Sequence, residues 1–266
     1  AYARERGGAD FCQDDYYVTI FYRLNTGRGP LKDVRVRKAL SMAVDREALV
    51  RDVVCGGGQP CFGFTPDGAG YRTPHGVEFN PEKARALLAE AGFPGGEGFP
   101  RLELMTTSRE VQKTMAEAIQ GMWKKHLGIH VEIRSCEWTA YKFAQNSMQY
   151  DLSSSSWSGD YLDPSSFLDL WSAASGNNNT GWFHPEYERL LAESRATGDQ
   201  EKRMALLARA EALMLSESPV IPLYWARRSY LKRPEVRGWH PLLLDNHLFE
   251  DISLCAPRAR GKGGRQ

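Results

Sequence analysis

The alternation of helical and strand-like segments between residues 80 and 157 most constrains the fold of this chain. Its first helix is signalled at 80–82 by the triplet Asn-Pro-Glu, because asparagine is a favoured N-cap, proline suits the first helical position and a carboxylate complements the helix dipole. Apolar residues then recur at helical spacing through 109–127, and apolar and polar residues alternate over 129–133. This order predicts an α/β fold with a mixed or parallel sheet.

The same patterns predict elements along the rest of the chain. Helices are expected at 34–44, 46–54, 81–91, 109–127, 139–148, 185–195 and 200–215. Strands are expected at 18–24, 102–106, 129–133, 150–157, 220–225 and 229–232. The Gly- and Pro-rich stretch 59–79 is predicted to be a long loop.

The composition is that of an ordinary globular protein. The chain has 266 residues, 42% of them hydrophobic, which is enough for one large or two small domains with a core. A formal net charge of +1 gives no overall attraction to nucleic acid or to an anionic membrane, so no nucleic-acid partner is expected. No apolar run approaches the roughly 18–20 residues of a membrane span.

The motifs of common enzyme and metal sites are absent from the sequence. It contains no GxSxG, HExxH, P-loop or GxGxxG pattern and no CxxC pair. His126 and His130 are four residues apart, but Gly128 between them breaks the helix that would align them. Catalytic residues, metal ligands and a cofactor are therefore not expected. Cys55 and Cys61 flank a flexible loop and are either a disulfide or two thiols.

Residues 157–171, WSGDYLDPSSFLDLW, contain two closely spaced carboxylates. Asp163 precedes Pro164 and a helical stretch, a position typical of a helix N-cap. Asp160 follows a predicted strand, and ligand crevices open at the carboxyl ends of strands in α/β folds. Trp157 and Tyr161 could line such a crevice. From the residues alone, Asp160 is either a ligand-binding charge or part of an Asx turn.

Several segments of this chain together resemble one known family, in the same order and with the same spacing. They are KDVRVRKALSMAVDREALV (32–50), FNPEKARALLAEAGFP (79–94), WKKHLGIHVEI (123–133), the pair at 137–138, WSGDYLDPSSFLDLW (157–171) and SPVIPLYWARRSYLKRPEVRGW (218–239). They resemble the family 5 extracytoplasmic solute-binding proteins of ABC importers, from residue 16 to about residue 254.

The resemblance implies a periplasmic-binding-protein-like α/β lobe of type II, similar to cluster C, with a mixed sheet flanked by helices and with the N-terminal lobe largely missing. By this comparison, residues 1–28 contain a hinge-crossing strand from the N-terminal lobe and 29–218 form the C-terminal ligand-binding lobe. Residues 219–254 return to the N-terminal lobe, and 255–266 form a disordered basic tail.

The resemblance also implies ligand contacts. In the peptide-binding branch, an aspartate that falls here on Asp160 pairs with the α-ammonium of the ligand, with Trp157 and Tyr161 in the same pocket. Arg109 is the nearest match to an arginine that receives the ligand carboxylate in dipeptide-type members, and Trp138 is expected in the cleft. Oligopeptide-type members carry a basic residue shortly before the tryptophan, whereas this chain has four serines at 153–156.

The function implied is that of the substrate-binding component of an ABC importer, not an enzyme. Such a protein captures di- or oligopeptides by hinge closure and delivers them to membrane permease subunits, and it is periplasmic or extracytoplasmic, in some cases with a lipid anchor in a preceding leader. Two alternatives remain. The same fold could bind an oligosaccharide, nickel chelate or haem, with Trp138, Trp157, Trp171 and Trp182 stacking on a sugar. Less favoured is a glycoside hydrolase using Asp160 and Asp163.

Overall fold

A six-stranded mixed sheet forms the centre of the protein. The computed structural model describes residues 7–55 and 57–255. The strands are β1 Phe11–Leu24, β2 Gly58–Pro60, β3 Leu102–Thr107, β4 Val131–Cys136, β5 Leu152–Ser158, β6 Val220–Leu231, β7 Val236–Arg237 and β8 Ser253–Leu254. The sheet order is β2-β6-β1-β5-β3-β4, and β7 and β8 pair separately. Strands β4, β3 and β5 run parallel, whereas β1, β2 and β6 pair antiparallel.

Helices cover both faces of this sheet. They are α1 Val34–Met42, α2 Arg46–Ala48, α3 Pro81–Glu90, α4 Glu110–Leu127, α5 Trp138–Asn146, α6 Ser165–Leu168, α7 Pro185–Ala196 and α8 Gln200–Glu217. Helix α2 continues into a π-helical stretch, Leu49–Val54. One large core contains residues of α1 and α4, and a second contains residues of α7 and α8. The prediction of an α/β fold with a mixed, helix-flanked sheet is confirmed.

Local sequence signals account for the ends of several helices. The Asp33 side chain accepts a hydrogen bond from the Arg35 amide at the start of α1, and Asn80 accepts one from the Lys83 amide at the start of α3. Helix α4 ends at Gly128, which adopts the left-handed conformation favoured at this position. The predicted starts of α1 and α3 and the predicted end of α4 are therefore confirmed.

Three predicted strands and one predicted loop require correction. The two strands expected at 220–225 and 229–232 are one strand, β6, which pairs along its length with β1. Strand β1 begins at Phe11 rather than at residue 18, because its polar first half pairs with the second half of β6. The predicted loop at 59–79 contributes β2, which pairs with β6 at the sheet edge. Pairing across the sheet stabilises these segments despite weak local signals.

The outer half of the β1–β6 pair extends beyond the other strands. Residues 11–15 pair only with 227–231, whereas 18–24 also pair with β5. The proposed boundaries between a hinge segment, a lobe and a return segment stay predictions. Of the expected basic tail, residues 256–266 lie outside the described part of the chain.

All five cysteines are free thiols in the structure. Cys61 is buried and its amide donates a hydrogen bond to the Leu223 carbonyl, whereas Cys55 is exposed. Of the two alternatives for this pair, the structure shows the thiols.

Candidate functional site

All five predicted site residues lie at or just after the carboxyl ends of the three parallel strands. Arg109 follows β3, Trp138 follows β4, and Trp157, Asp160 and Tyr161 lie at or just after the end of β5. Because β3, β4 and β5 are parallel, their carboxyl ends lie at one edge of the sheet. This is the edge at which open α/β sheets bind ligands.

A cleft lies at this edge, between the strand ends, helix α5 and the loop around residue 178. Its volume is about 110 Å³, below the roughly 300–1,000 Å³ typical of small-molecule pockets. It is lined by Arg23, Thr107, Gln112, Trp138, Tyr141, Lys142, Gln145, Ser154, Ser155, Ser156, Trp157, Asn177 and Asn179. The cleft therefore offers a wall for a ligand rather than a complete enclosure.

The aromatic part of this wall consists of Trp138, Tyr141 and Trp157. Trp138 is 59% exposed and stacks on Tyr141, with ring centroids 5.8 Å apart. The Trp157 indole N–H donates a 2.7 Å hydrogen bond to the Ser166 carbonyl, which fixes the ring against the start of α6. Trp138 can therefore make apolar contact with a ligand, and Trp157, which packs partly against the second core, can do so with its exposed part.

The serine part of the wall is held by α5. Gln145 Nε2 donates to the hydroxyls of Ser153 and Ser155 at 3.1 Å each, and the Tyr141 hydroxyl lies 3.0 Å from that of Ser153. Tyr141 also donates to the Ser154 carbonyl. Residues 154–156 thus give this part of the cleft a neutral lining, where the resemblance implies a basic residue in oligopeptide-type members.

Asp160 is exposed and follows the cleft residue Trp157 by three positions. Its amide donates a 2.7 Å hydrogen bond to the Ser166 hydroxyl, but no described residue bonds or pairs with its carboxylate. The turn before it depends on Gly159, because a Cβ there would lie 2.3 Å from the Tyr17 ring and 2.8 Å from that of Phe167. The backbone is therefore fixed while the carboxylate stays free to accept a ligand's donors.

Asp163 has a structural role instead. It accepts hydrogen bonds from the Ser165 amide at 2.9 Å and hydroxyl at 2.7 Å, and Arg203 donates to both of its oxygens at 2.7 Å. Burial acts to raise the pKa of the Asp163 carboxyl, but the bonds from Arg203 and Ser165 outweigh it and hold that pKa below its usual value. Asp163 lies at the helix start as expected, but the N-cap is Pro164, because α6 begins one residue after the predicted position. Much of the Asp163 carboxylate is used by Arg203 instead.

Arg109 and Tyr161 are not among the residues that line the cleft. Arg109 is exposed at the N-cap of α4. Tyr161 is 48% exposed, and its hydroxyl lies 3.2 Å from that of Ser165. Of the five predicted residues, the structure thus places Trp138 and Trp157 in the cleft, and the other three on loops at the same edge. Their ligand contacts stay predictions.

The sequence of this chain matches a known protein family. The sequence model described as bacterial extracellular solute-binding proteins, family 5, middle region, matches residues 2–179, more than half of the chain. The chain belongs to this family. Its site therefore lies in a fold used for solute binding.

Individual family 5 proteins agree with this assignment. The chain is similar to the oligopeptide-binding protein OppA of Bacillus subtilis (strain 168), with 33% identity over 227 residues, which are 82% of this chain and 42% of that protein. It has the same identity over 226 residues, again 82% of this chain and 42% of the relative, to the probable deoxycholate-binding periplasmic protein YgiS of Escherichia coli (strain K12).

The structural comparison agrees. The crystal structure of a periplasmic oligopeptide-binding protein, OppAIV of Borrelia burgdorferi, superposes with a TM-score of 0.85 at 33% identity, over 96% of this chain and 52% of that one. The chain spans about half the length of the family 5 relatives that it matches.

Two cationic residues that line this cleft were not predicted from the sequence. Arg23 in β1 is 4% exposed, and its Nε donates to the Ser155 hydroxyl at 3.0 Å while Nη1 donates to the Asn177 carbonyl at 2.8 Å. Lys142 in α5 donates from Nζ to Gln145 Oε1 at 3.1 Å. An available signal was that Arg23 is the single charge in the run VTIFYRL.

Two further properties of the described residues bear on the site. Within residues 7–55 and 57–255, no group of three or more His, Cys, Asp or Glu side chains is placed to hold a metal ion. No helix in this part of the chain has the length and apolar character needed to cross a membrane.

Proposed function

We propose that this chain contributes one ligand-binding wall of the substrate-binding component of an ABC importer, and that the solute is a di- or oligopeptide. The single observation that carries the proposal is the Asp160 carboxylate, which is exposed and has no partner among the described residues, three residues after the cleft residue Trp157. A carboxylate enclosed away from water needs a cation, and the α-ammonium of a peptide is one.

Closure of a second lobe over this wall would complete the site. The small volume of the cleft and the span of about half a relative's length both support a facing lobe supplied by the rest of the protein. The paired outer halves of β1 and β6 are the segment that we propose crosses to it. Hinge closure would then bury the ligand and present the closed protein to membrane permease subunits outside the cytoplasm.

A non-peptide solute is the second candidate. The similarity to YgiS, named for deoxycholate, equals that to OppA of B. subtilis in percentage identity, which favours considering another solute on the same fold. Sugar stacking by four tryptophans is not supported, because Trp171 and Trp182 are buried in the core. Hydrolysis by an Asp160–Asp163 pair is disfavoured because Arg203 occupies both oxygens of Asp163.

Mass spectrometry of the small molecules that co-purify with the full-length protein tests the peptide proposal. We expect short peptides with free N-termini, released on denaturation and absent from a matched preparation of the Asp160→Ala variant. Recovery of a bile salt, a sugar or haem from the wild-type protein, with no peptides, would replace peptide by that solute.

A further inference from the structure

Arg23 is a buried cation without an anion beside it. No carboxylate of the described residues forms an ion pair with it, and no Asp or Glu is among the residues that line the cleft. Among the described residues, its guanidinium contacts the Ser155 hydroxyl, the Asn177 carbonyl and the rings of Phe21 and Trp171, whose centroids lie 5.3 Å and 5.0 Å from its guanidinium carbon. Burying a charge without a counter-charge is costly, so such groups are normally paired.

The other buried arginines show how this chain satisfies such a group when its role is structural. All three guanidinium nitrogens of Arg46 donate to Ser41, Val44 or Pro222. Arg37 donates to backbone carbonyls and also pairs with the Glu217 carboxylate at 3.5 Å. Arg23 differs in two respects. Its Nη2 has no acceptor among the described residues, and it lines the cleft.

Lys142 adds a second cation to the same wall. Its ammonium lies 5.9 Å from the centroid of the exposed Trp138 ring and has no carboxylate partner among the described residues. Burial, and secondarily the charge of Arg23, lowers the pKa of Lys142. An anion in the cleft would pair with both cations. It would therefore offset the cost of burying the Lys142 ammonium and the repulsion between Lys142 and Arg23.

We propose that Arg23 and Lys142 form a subsite for a carboxylate of the bound ligand, with the guanidinium as principal donor. The proposal rests on the proposed function, in which Asp160 takes the amine of a peptide. A carboxylate accepts several hydrogen bonds and fits the donors of a guanidinium. The chemistry is the same whether the group is the α-carboxylate of a short peptide or an Asp or Glu side chain.

Peptide mixtures that differ only in their carboxylates test this subsite on the full-length protein. One random tripeptide mixture has free C-termini, a second has C-terminal amides, and a third has amides without Asp or Glu. Binding is measured by competition against the free-acid mixture, with mass spectrometry of the retained peptides. We expect the third mixture to bind about 10- to 100-fold more weakly than the first, as for loss of a charged hydrogen-bond partner.

The second mixture distinguishes the two sources of the carboxylate. Retention of its Asp- and Glu-containing members at the affinity of the free acids would assign the subsite to a side chain. Uniformly weak binding of all its amides would assign it to the C-terminus. Both results support the subsite.

Variants test whether the preference for free acids over neutral amides depends on Arg23 and Lys142. Arg23→Gln should reduce the difference between free acids and neutral amides by at least about 10-fold. Lys142→Met should reduce it as well, and because Lys142 is only half-buried this variant reports on the subsite even if Arg23→Gln does not fold. Lys124→Met, on the exposed side of α4, is the matched control and should leave the preference intact.

Equal binding of free acids and neutral amides by the wild-type protein would overturn the subsite while leaving peptide binding in place. An undiminished preference in a folded Lys142→Met variant would also overturn it, whether or not Arg23→Gln folds. Failure to bind any of the three mixtures would instead remove the proposed function, and the subsite with it.

Discussion

Glu211→Ala is expected to lower the free energy of unfolding by about 3–5 kcal/mol, because three buried donors would lose their acceptor. Glu211 in α8 is 0% exposed. It accepts hydrogen bonds from the amides of Phe64 and Thr65 at 2.7 Å and 3.0 Å, and from the Tyr71 hydroxyl at 2.7 Å. This one carboxylate therefore holds the irregular segment after β2 against α8.

Urea denaturation of the full-length protein at neutral pH measures this effect. Glu211→Gln keeps one acceptor oxygen and should fall between the wild type and Glu211→Ala. Glu201→Ala, at the exposed start of the same helix, is the matched control and should leave the unfolding midpoint in place. A Glu211→Ala midpoint equal to that of Glu201→Ala would show that the buried hydrogen bonds do not stabilise this segment.

Arg46→Met is expected to lower the free energy of unfolding by about 2–4 kcal/mol, because it leaves buried acceptors unpaired in an otherwise apolar core. Arg46 is 1% exposed at the start of α2. Its Nε donates to the Pro222 carbonyl of β6 at 2.7 Å, and Nη2 donates to the Ser41 hydroxyl at 2.9 Å. Burial lowers the pKa of the guanidinium to about 10, so it stays charged at neutral pH.

Two further variants separate the fork geometry of Arg46 from its charge. Arg46→Lys keeps a cation but cannot span the same acceptors, so it should be less stable than the wild type. Arg51→Ala removes an exposed arginine that pairs with the adjacent Asp52 and should not change the urea midpoint. Equal midpoints for Arg46→Met and Arg51→Ala would contradict the role of the buried network.

The order of the helices in this fold could be predicted, because the residues that start and end each helix lie close to it in the sequence. The cap residues Asp33 and Asn80 and the terminating Gly128 specify their helices within a few residues. The first half of β1 carries no such signal. Its polar residues are extended because β6, which begins more than 190 residues later in the chain, pairs with them.

The candidate site could be predicted only in part, because some of its contacts join residues that are distant in the sequence. Local sequence indicates that Asp163 lies at a helix start, since Pro164 follows it, and the structure agrees. The ligand contact of Asp160 stays a prediction. Arg203, which lies 40 residues away along the chain, gave no sign of its contact with Asp163. Arg23 and Lys142 come from distant segments and meet in the cleft only through sheet pairing and the packing of α5.

Calorimetric titration with one peptide and its N-acetylated form tests the central claim most directly. The full-length protein is titrated as wild type and as Asp160→Asn, using a tripeptide retained from the free-acid mixture. We predict that acetylation weakens wild-type binding by at least about 30-fold, as for loss of one partner of an enclosed charge pair, and that Asp160→Asn binds both forms with similar, low affinity. Equal affinity of the wild type for the free and acetylated peptides would contradict the claim that Asp160 binds the ligand's amine.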